Sequence, residues 1–337
     1  MLTRAATPEL DEKGVEICEG SLLDPAVLAR ALRGVDRVYH LAGLVSRDPD
    51  AAAEMYRVHV DGTRALLEAA AAAKVRRVVV ASTSGTIAVT ETDEISNESS
   101  PYRYELARRW PYYLSKIYQE KLALEFEGPE VVCINPSLLL GPGDTRLSSS
   151  GDVLKFLKRE IPIVPSGGIN FVDARDAAAG AILAMEHGEP RARYLLGGPN
   201  WTMQEYFHRI GRASGVRAPT ARIPDGAARF GARMVDALYR LRGPEKRAPV
   251  DPESVEMAQH FWYCDSTRAR TELGWEPRDP METLDDTIAF LRERFLGGAP
   301  PPDKAPTFLE TLVTRIAEEP APASTSPRKK RTPAARG

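Results

Sequence analysis

The chain has little cysteine, no long apolar run and almost no surplus of charge. Its three cysteines, Cys18, Cys133 and Cys264, lie far apart without the close Cys/His spacing of a zinc site, so we expect reduced thiols and no metal. No stretch approaches the roughly 20 apolar residues of a membrane span, and the first residues do not form a signal segment. A net charge of -2 indicates no overall attraction to nucleic acid or an anionic membrane. We therefore expect a cytoplasmic protein with a small-molecule partner and with neither nucleic acid nor membrane as a partner; a homodimer is left open.

Short apolar runs and helical patterns alternate regularly up to residue 136. Apolar residues make up 43% of the 337 residues, which is typical of a globular protein. The predicted strands cover residues 15–18, 36–42, 77–82 and 130–135, and the predicted helices cover 24–32, 51–73 and 109–126. Asp24 is the predicted N-cap of the first helix, with Pro25 in its first turn. This alternation predicts an α/β fold with a doubly wound parallel sheet.

Beyond Gly141 the alternation gives way to turns rich in Pro and Gly. Here the patterns predict helices at 173–186, 203–213 and 281–295, a strand at 193–196 and an amphipathic segment at 308–316. From residue 318 the composition is rich in Pro, Ala and Ser and cannot form a packed core, so we expect a disordered tail. The basic run Arg328–Arg331 is interpreted as part of that solvated tail and not as a nucleic-acid site.

Tyr112 and Lys116 stand four residues apart in the predicted helix 109–126. That spacing places both side chains on one face of the helix. An ammonium group beside a phenol lowers the phenol pKa from its usual value of about 10, and a phenolate can exchange a proton with a carbonyl or carbinol while a hydride moves. Tyr113 offers a second phenol, but its neighbour four residues on is Ile117. The alternative is a surface pair, because Tyr and Lys at this spacing are common on helices.

Several short strings surround this pair in a characteristic order. They are GSLLD at 20–24, VYHLAG at 38–43, HVDGT at 59–63, VASTSG at 80–85, NPSLLLGPGD at 135–144, NFVDARD at 170–176, YLLGG at 194–198 and ELGW at 272–275. With them, residues 1–295 resemble the extended short-chain dehydrogenase/reductases, the NAD-dependent epimerase/dehydratase family, and especially its dihydroflavonol reductase-like and hopanoid-associated sugar epimerase members. The resemblance implies a Rossmann-like sheet, a smaller C-terminal substrate lobe and nicotinamide-dependent chemistry.

The resemblance also implies roles for individual residues. Thr83, Tyr112 and Lys116 correspond to the catalytic residues, and Ser84 and Asn135 correspond to substrate contacts. Ser82 is a further hydroxyl beside Thr83. At position 59 a histidine replaces the family's asparagine, and it either donates a hydrogen bond in the site or is a satisfied helix histidine. The residues implied to bind the cofactor are Arg4, Ser21, Leu22, Leu41, Ala42, Gly43, His59, Tyr112, Lys116 and Pro136.

The most specific nucleotide signal of this family, Gly-x-x-Gly-x-x-Gly, occurs nowhere in the chain. In the family this turn joins the first strand to the first helix and receives the pyrophosphate. Ser21 also replaces the acid that contacts adenine. Residues 1–4 resemble the end of the second strand, so we expect the true start upstream and, in the chain as written, a gap inside the sheet that weakens folding. Arg4 stands where family members bind a 2'-phosphate, which favours NADP over NAD.

By this resemblance, residues 1–140 form the nucleotide-binding domain and residues 141–297 hold the last sheet strands interleaved with the substrate lobe. Residues 298–337 form a Pro-rich linker and the disordered basic tail. We expect an enzyme that is either an NADP-linked reductase or a nucleotide-sugar epimerase. The alternative is a binding or regulatory protein that kept the fold without turnover. The Tyr112 and Lys116 pair favours the enzyme, and the missing Gly-rich turn favours the alternative.

Overall fold

The computed structural model describes residues 1–4, 14–46, 48–241 and 252–298. Its strands are β1 (Leu2–Thr3), β2 (Cys18–Glu19), β3 (Arg37–His40), β4 (Arg77–Ala81), β5 (Glu130–Pro136), β6 (Leu138–Leu140), β7 (Gly168–Asp173), β8 (Arg193–Leu196) and β9 (Asn200–Thr202). Its α-helices are α1 (Pro25–Ala31), α2 (Ala52–Tyr56), α3 (Gly62–Ala72), α4 (Tyr104–Ala107), α5 (Pro111–Glu125), α6 (Gly151–Leu157), α7 (Ala174–His187), α8 (Met203–Ser214), α9 (Asp225–Leu241), α10 (Pro252–Met257), α11 (Thr267–Leu273) and α12 (Pro280–Phe295). The predicted amphipathic segment 308–316 and the predicted tail, including Arg328–Arg331, lie outside the described residues.

The main sheet contains four parallel strands in the order β3-β4-β5-β8. Val80 of β4 lies in register with His40 of β3 and Cys133 of β5. β4 and β5 carry apolar residues at successive positions, as parallel strands do when both faces of the sheet are covered. The predicted α/β fold with a parallel sheet is confirmed.

Side chains of β4 alternate between two separate cores, as the pleat of a strand requires. Val78 and Val80 pack in the core that includes Leu67 of α3. Val79 faces the other way, into the core that includes Met185 of α7. Helices therefore cover both faces of the sheet, which makes it doubly wound. A third core, with Phe171, Phe207 and Leu284 as members, joins β7, α8 and α12.

Two smaller sheets accompany the main one. β1 and β2 pair in parallel, and β7 pairs in parallel with β6 and antiparallel with β9. β1 and β3 belong to different sheets. At the β3 edge, Tyr39 is 43% exposed and Leu41 is 64% exposed.

Side-chain caps explain where several helices begin. Asp24 Oδ1 accepts hydrogen bonds from the amides of Ala26 at 2.9 Å and Val27 at 3.4 Å, so the predicted N-cap is confirmed. Asp173 caps α7 in the same way, through the amide of Arg175 at 2.8 Å. Such bonds satisfy amides that have no partner within the helix.

The predicted helix 51–73 is interrupted at its centre. α2 continues into a π-helical turn, Arg57–Asp61, and only then into α3. The prediction of one regular helix was therefore wrong over these five residues. The wider turn carries His59, which is fully buried. Such insertions in a helix are frequent at functional sites.

Helix α9 lies in a part of the chain that none of the family strings quoted above covers. The 17 residues of α9 form one amphipathic helix, which the sequence patterns did not predict. Across the ranges described above, no helix has both the length and the apolar character that crossing a membrane requires.

Candidate active site

Helix α5 carries Tyr112 and Lys116 at its N-terminal end, with Pro111 at the first helical position. Tyr112 is half-buried, and Lys116 is only 5% exposed. Lys116 Nζ donates to the carbonyl of Ala81, the last residue of β4, at 2.9 Å. The structure thus places the predicted pair at the carboxyl end of the main sheet, where open α/β sheets bind their ligands.

The ammonium group of Lys116 is held by a buried chain of polar side chains. It donates to Gln119 Oε1 at 2.8 Å, and Gln119 Nε2 donates to Thr63 Oγ1 at 2.8 Å. Thr63 Oγ1 lies 2.7 Å from His40 Nε2. Burial lowers the pKa of Lys116 to about 8, and burial together with the Lys116 charge lowers the pKa of His40 to about 3. His40 is therefore neutral and accepts the Thr63 hydroxyl proton.

The protonation state of Tyr112 differs from the prediction. Burial raises the pKa of Tyr112 to about 12. The expected lowering by Lys116 is absent because the ammonium group is turned toward Ala81 and Gln119. The prediction of a phenolate near neutral pH was therefore wrong for this arrangement. Tyr112 is protonated and can act as a proton donor.

His59 is satisfied on both sides of its ring. Nε2 accepts the amide proton of Leu44 at 3.0 Å, and Nδ1 lies 2.8 Å from Ser115 Oγ. Ser115 Oγ donates its own proton to the carbonyl of Tyr112 at 2.8 Å, so His59 Nδ1 carries a hydrogen and donates. Burial, with the Lys116 charge, lowers the pKa of His59 to about 3. His59 is thus a buried histidine with both ring nitrogens hydrogen-bonded, and its contact with the cofactor stays a prediction.

The backbone of residues 41–43 lies beside Lys116. Leu41, Ala42 and Gly43 are all exposed. A Cβ atom at Gly43 would lie 3.3 Å from His59 Nε2 and 3.6 Å from Lys116 Nζ, so a side chain there would crowd both groups. The absence of a side chain leaves an open backbone next to a buried ammonium group. This surface fits the nicotinamide-ribose end of a dinucleotide, which the resemblance assigns to the same residues.

The other residues implied to bind cofactor lie in different surroundings. Arg4 and Ser21 are exposed, at the ends of β1 and β2. Leu22 packs against Gly62 at the start of α3, where an added Cβ would lie 2.7 Å from Leu22 Cδ2. Pro136 is buried at the end of β5, in register with Leu196. Only Arg4 and Ser21 of this group therefore present freely accessible side chains.

Three hydroxyl side chains follow β4, and the structure separates them. Thr83 is half-buried and caps a short 3₁₀ turn, Ser84–Thr86, by accepting from the Gly85 amide at 3.4 Å. Ser84 is buried, and Ser82 is buried and donates to Glu120. Thr83 is thus the most accessible of the three. Because Ser84 is buried, its side chain has no exposed surface for the predicted substrate contact.

Glu120, which the sequence patterns did not single out, is fully buried. Its Oε2 accepts from Ser82 Oγ, from Thr86 Oγ1 at 3.1 Å and from Asn135 Nδ2 at 2.6 Å. Its Oε1 accepts from Arg193 Nη1 at 3.1 Å. The carboxylate therefore ties together the ends of β4 and β5 and the start of β8. A signal was available in the spacing, because Glu120 follows Lys116 by four residues on the same helix.

Asn135 was predicted to face the substrate, and that contact stays a prediction. Its side chain is fully buried. Its amide nitrogen donates inward, to Glu120 Oε2 at 2.6 Å and to the Thr83 carbonyl at 3.1 Å. The residue thus positions the turn that carries Thr83, because its only amide donor group is used there.

Tyr113 belongs to an aromatic wall beside Tyr112. Its ring lies 4.9 Å from the Trp262 ring and 6.0 Å from the Trp110 ring. It also covers Gly85, where an added Cβ would fall 2.2 Å from Tyr113 Cε1. Tyr113 thus packs against Trp262 and against the turn that follows β4.

Comparison with known proteins identifies a family and several similar chains. The model of the NAD dependent epimerase/dehydratase family matches residues 1–197. Sterol demethylase protein B of Methylococcus capsulatus is 32% identical over 295 residues, 85% of this chain and 87% of that protein. A Synechocystis protein provisionally named dihydroflavonol 4-reductase is 28% identical over 281 residues, 80% of each chain.

The solved structures show the same fold. The crystal structure of a nucleoside-diphosphate-sugar epimerase from Pseudomonas aeruginosa has a TM-score of 0.69 at 24% identity and covers 87% of this chain and 89% of that one. The Rossmann-like character of the sheet is thereby confirmed. The family model covers more than half of the 337 residues. This chain belongs to the NAD-dependent epimerase/dehydratase family, which comprises NAD(P)-dependent oxidoreductases and epimerases.

Proposed function

We propose that the protein is an NADP-linked reductase that converts a carbonyl group of a small apolar molecule into a hydroxyl group. The observation that carries the proposal is the buried ammonium group of Lys116, four residues from Tyr112 on α5 and next to the open backbone of residues 41–43. This arrangement provides a place for a nicotinamide ribose and, beside it, a proton donor.

Tyr112 is the proton donor in this proposal. Its raised pKa of about 12 keeps the phenol protonated at neutral pH. The phenol can then give its proton to the alkoxide that forms when a hydride reaches the carbonyl carbon. Bound NADPH supplies that hydride.

Lys116 and Thr83 complete the site in this proposal. Lys116 is a buried cation that can donate to ribose hydroxyls, and the chain through Gln119 and Thr63 holds it in place. Thr83 ends β4 with a half-buried hydroxyl group that can hydrogen-bond the substrate oxygen. These three residues would therefore orient the cofactor, orient the carbonyl and transfer the proton.

The relatives support a reductase with an apolar substrate. One is named for a sterol demethylase system and the other for reduction of a dihydroflavonol. Both substrate names describe ring systems with little charge. The exposed Arg4 at the end of β1 supports NADP, because a guanidinium group can bind a 2'-phosphate.

The test combines cofactor binding with turnover. NADPH fluorescence measures binding, and NADPH oxidation is followed with sterol ketones, dihydroflavonols and nucleotide 4-ketosugars. We expect oxidation with an apolar ketone and a loss of about 10²- to 10⁴-fold in kcat for Tyr112→Phe. Tyr113→Phe is the matched control, because it keeps the ring contacts with Trp110 and Trp262, and it should retain most of the turnover.

Three outcomes would contradict the proposal. Turnover of nucleotide sugars alone would indicate an epimerase. Binding of NADPH without oxidation by any carbonyl compound would indicate a binding or regulatory protein. Equal losses for Tyr112→Phe and Tyr113→Phe would show that Tyr112 has no special role in proton transfer.

A further inference from the structure

Helix α9 has two apolar faces, and the protein covers only one of them. Ala232 and Tyr239, seven residues apart, are buried against the rest of the protein. On another face, Phe230, Met234 and Leu238 follow one another at intervals of four residues and are 66%, 50% and 56% exposed. Residues at this spacing are neighbours on a helix surface, so these three form one continuous stripe. We call it the α9 stripe.

The α9 stripe is too regular to be a chance exposure. Single exposed apolar residues are ordinary on protein surfaces, whereas contiguous ones mark interaction sites. The helix itself is firmly attached at its start, because Asp225 accepts the Ser166 hydroxyl at 2.8 Å and its carbonyl accepts Gln259 Nε2 at 3.2 Å. The stripe therefore lies on a helix whose first residue is hydrogen-bonded to two other parts of the protein.

Positive charge lies along one side of the α9 stripe. Arg229 and Arg233 are exposed, four residues apart, and form no hydrogen bond or ion pair with any residue that the structure describes. The two acids of α9, Asp225 and Asp236, are half-buried, and Asp225 accepts the Ser166 hydroxyl.

We infer that the α9 stripe docks on an anionic lipid surface. An amphipathic helix with Phe and Leu on one face and Arg beside them lies in the plane of a bilayer, with its apolar side chains at the boundary between headgroups and acyl chains. The phosphates of anionic lipids supply the counter-charge that Arg229 and Arg233 lack among the described residues. A convex helix face suits a deformable lipid surface, which needs no preformed groove. The expectation of no membrane partner came from the net charge. That value averages over the whole chain and does not describe the local charge of α9.

The α9 helix belongs to the lobe that forms the aromatic wall of the candidate site. Gln259 holds the start of α9, and Trp262 donates from Nε1 to the carbonyl of Met257 at 3.0 Å and packs against Tyr113. The docking helix α9 and the aromatic wall beside Tyr112 therefore belong to the same lobe. Docking itself does not depend on the proposed reductase function, and it can be tested without a substrate.

The test measures sedimentation of the full chain with vesicles of phosphatidylcholine alone or mixed with phosphatidylglycerol. We expect binding to the mixed vesicles and weaker binding to phosphatidylcholine alone. The double variant F230S/M234S should lower the partition coefficient at least tenfold. R229Q/R233Q should lower it by about 30-fold on the anionic vesicles, at about fivefold per cation. Ile182→Ser removes a comparably exposed apolar side chain, 51% exposed on α7, and should bind like the wild type.

Every variant retains the basic run Arg328–Arg331, so a difference between variants reports on α9 alone. The proposal is overturned if the wild-type chain does not sediment with anionic vesicles, or if F230S/M234S and Ile182→Ser bind alike. It is also overturned if the wild type stays in solution as a dimer that F230S/M234S dissociates. That last result would assign the stripe to a contact between two copies of the chain.

Discussion

Glu120 carries a buried negative charge at the centre of the site and has no contact with solvent. Arg193 is its only cationic partner among the described residues, and three polar side chains, Ser82, Thr86 and Asn135, donate to its carboxylate. Removing one partner of a buried ion pair leaves the other charge unpaired, which is far more costly than losing a surface pair. The stability of the site should therefore depend on this side chain.

We predict that Glu120→Ala lowers the free energy of unfolding by about 3 kcal/mol. The estimate is at the low end for buried pairs because Arg193 keeps bonds to the carbonyls of Glu98 and Ser100. Urea unfolding monitored by circular dichroism measures the change. Glu120→Gln keeps one acceptor oxygen and should lose less. A loss below about 1 kcal/mol for Glu120→Ala, typical of a surface pair, would show that the pair is not closed in solution.

Lys116 should make stability depend on pH in a defined window. Burial lowers its pKa in the folded protein to about 8, below the value of about 10.4 for an unfolded chain. Between these values the unfolded chain binds more protons than the folded one, so the free energy of unfolding rises with pH. The cost of burying the charged ammonium is present below about pH 8 and disappears as Lys116 loses its proton.

The expected gain is about 2 kcal/mol between about pH 8 and pH 10, measured as the difference between wild type and Lys116→Met. Taking this difference removes the contributions of other titrating groups. Activity should instead fall over this pH range, because the cationic form of Lys116 is the one that can donate to a ribose. A parallel pH dependence in the wild type and Lys116→Met would show that Lys116 keeps its ordinary pKa.

The sequence placed Tyr112 and Lys116 correctly on one helix at same-face spacing, because helix periodicity determines which residues share a face. It did not identify Gln119 or Glu120. On a helix, a buried polar residue and a solvated one look the same in sequence, and only the packing of β4, β5 and β8 against α5 distinguishes them. The pKa of Tyr112 could not be predicted for a similar reason. It depends on where the Lys116 ammonium group turns, which spacing alone does not determine.

At the scale of elements, local signals predicted the helix starts well and the helix interiors less well. Asp24 before Pro25 indicates an N-cap through chemistry that operates within one turn, and the structure has that cap. The π turn Arg57–Asp61 has no comparable local signal. Within it, His59 bonds through both ring nitrogens to Leu44 and Ser115, which are distant in sequence.

The cap of α1 offers a direct test. We predict that Asp24→Ala lowers the free energy of unfolding by about 1 kcal/mol, because the amides of Ala26 and Val27 lose their acceptor. Asp24→Asn keeps an acceptor oxygen and should stay close to the wild type. Thermal unfolding of the three proteins gives the comparison. Equal losses for both variants would mean that the charge of Asp24, and not its hydrogen bonds, stabilises the helix.

At the scale of the whole molecule, the main sheet and the β1–β2 pair differ in the contacts that stabilise them. Val79 and Val132 of the main sheet are fully buried between helices on both faces. β1 and β2 contain two residues each and belong to a separate sheet. A lone pair of short strands is at best marginally stable in water. We therefore expect the two sheets to open independently.

Amide hydrogen exchange tests this expectation. The amides of Cys18 and Gly20, which donate to the carbonyls of Met1 and Thr3, should exchange through local opening, whereas those of Val79 and Val132 should exchange only when the whole domain unfolds. We predict protection factors at least about 100-fold lower for the first pair. Mild denaturant should accelerate the second pair and leave the first nearly unchanged, because local opening exposes little new surface. Similar protection of both pairs would show that β1 and β2 unfold together with the main sheet, as one cooperative unit.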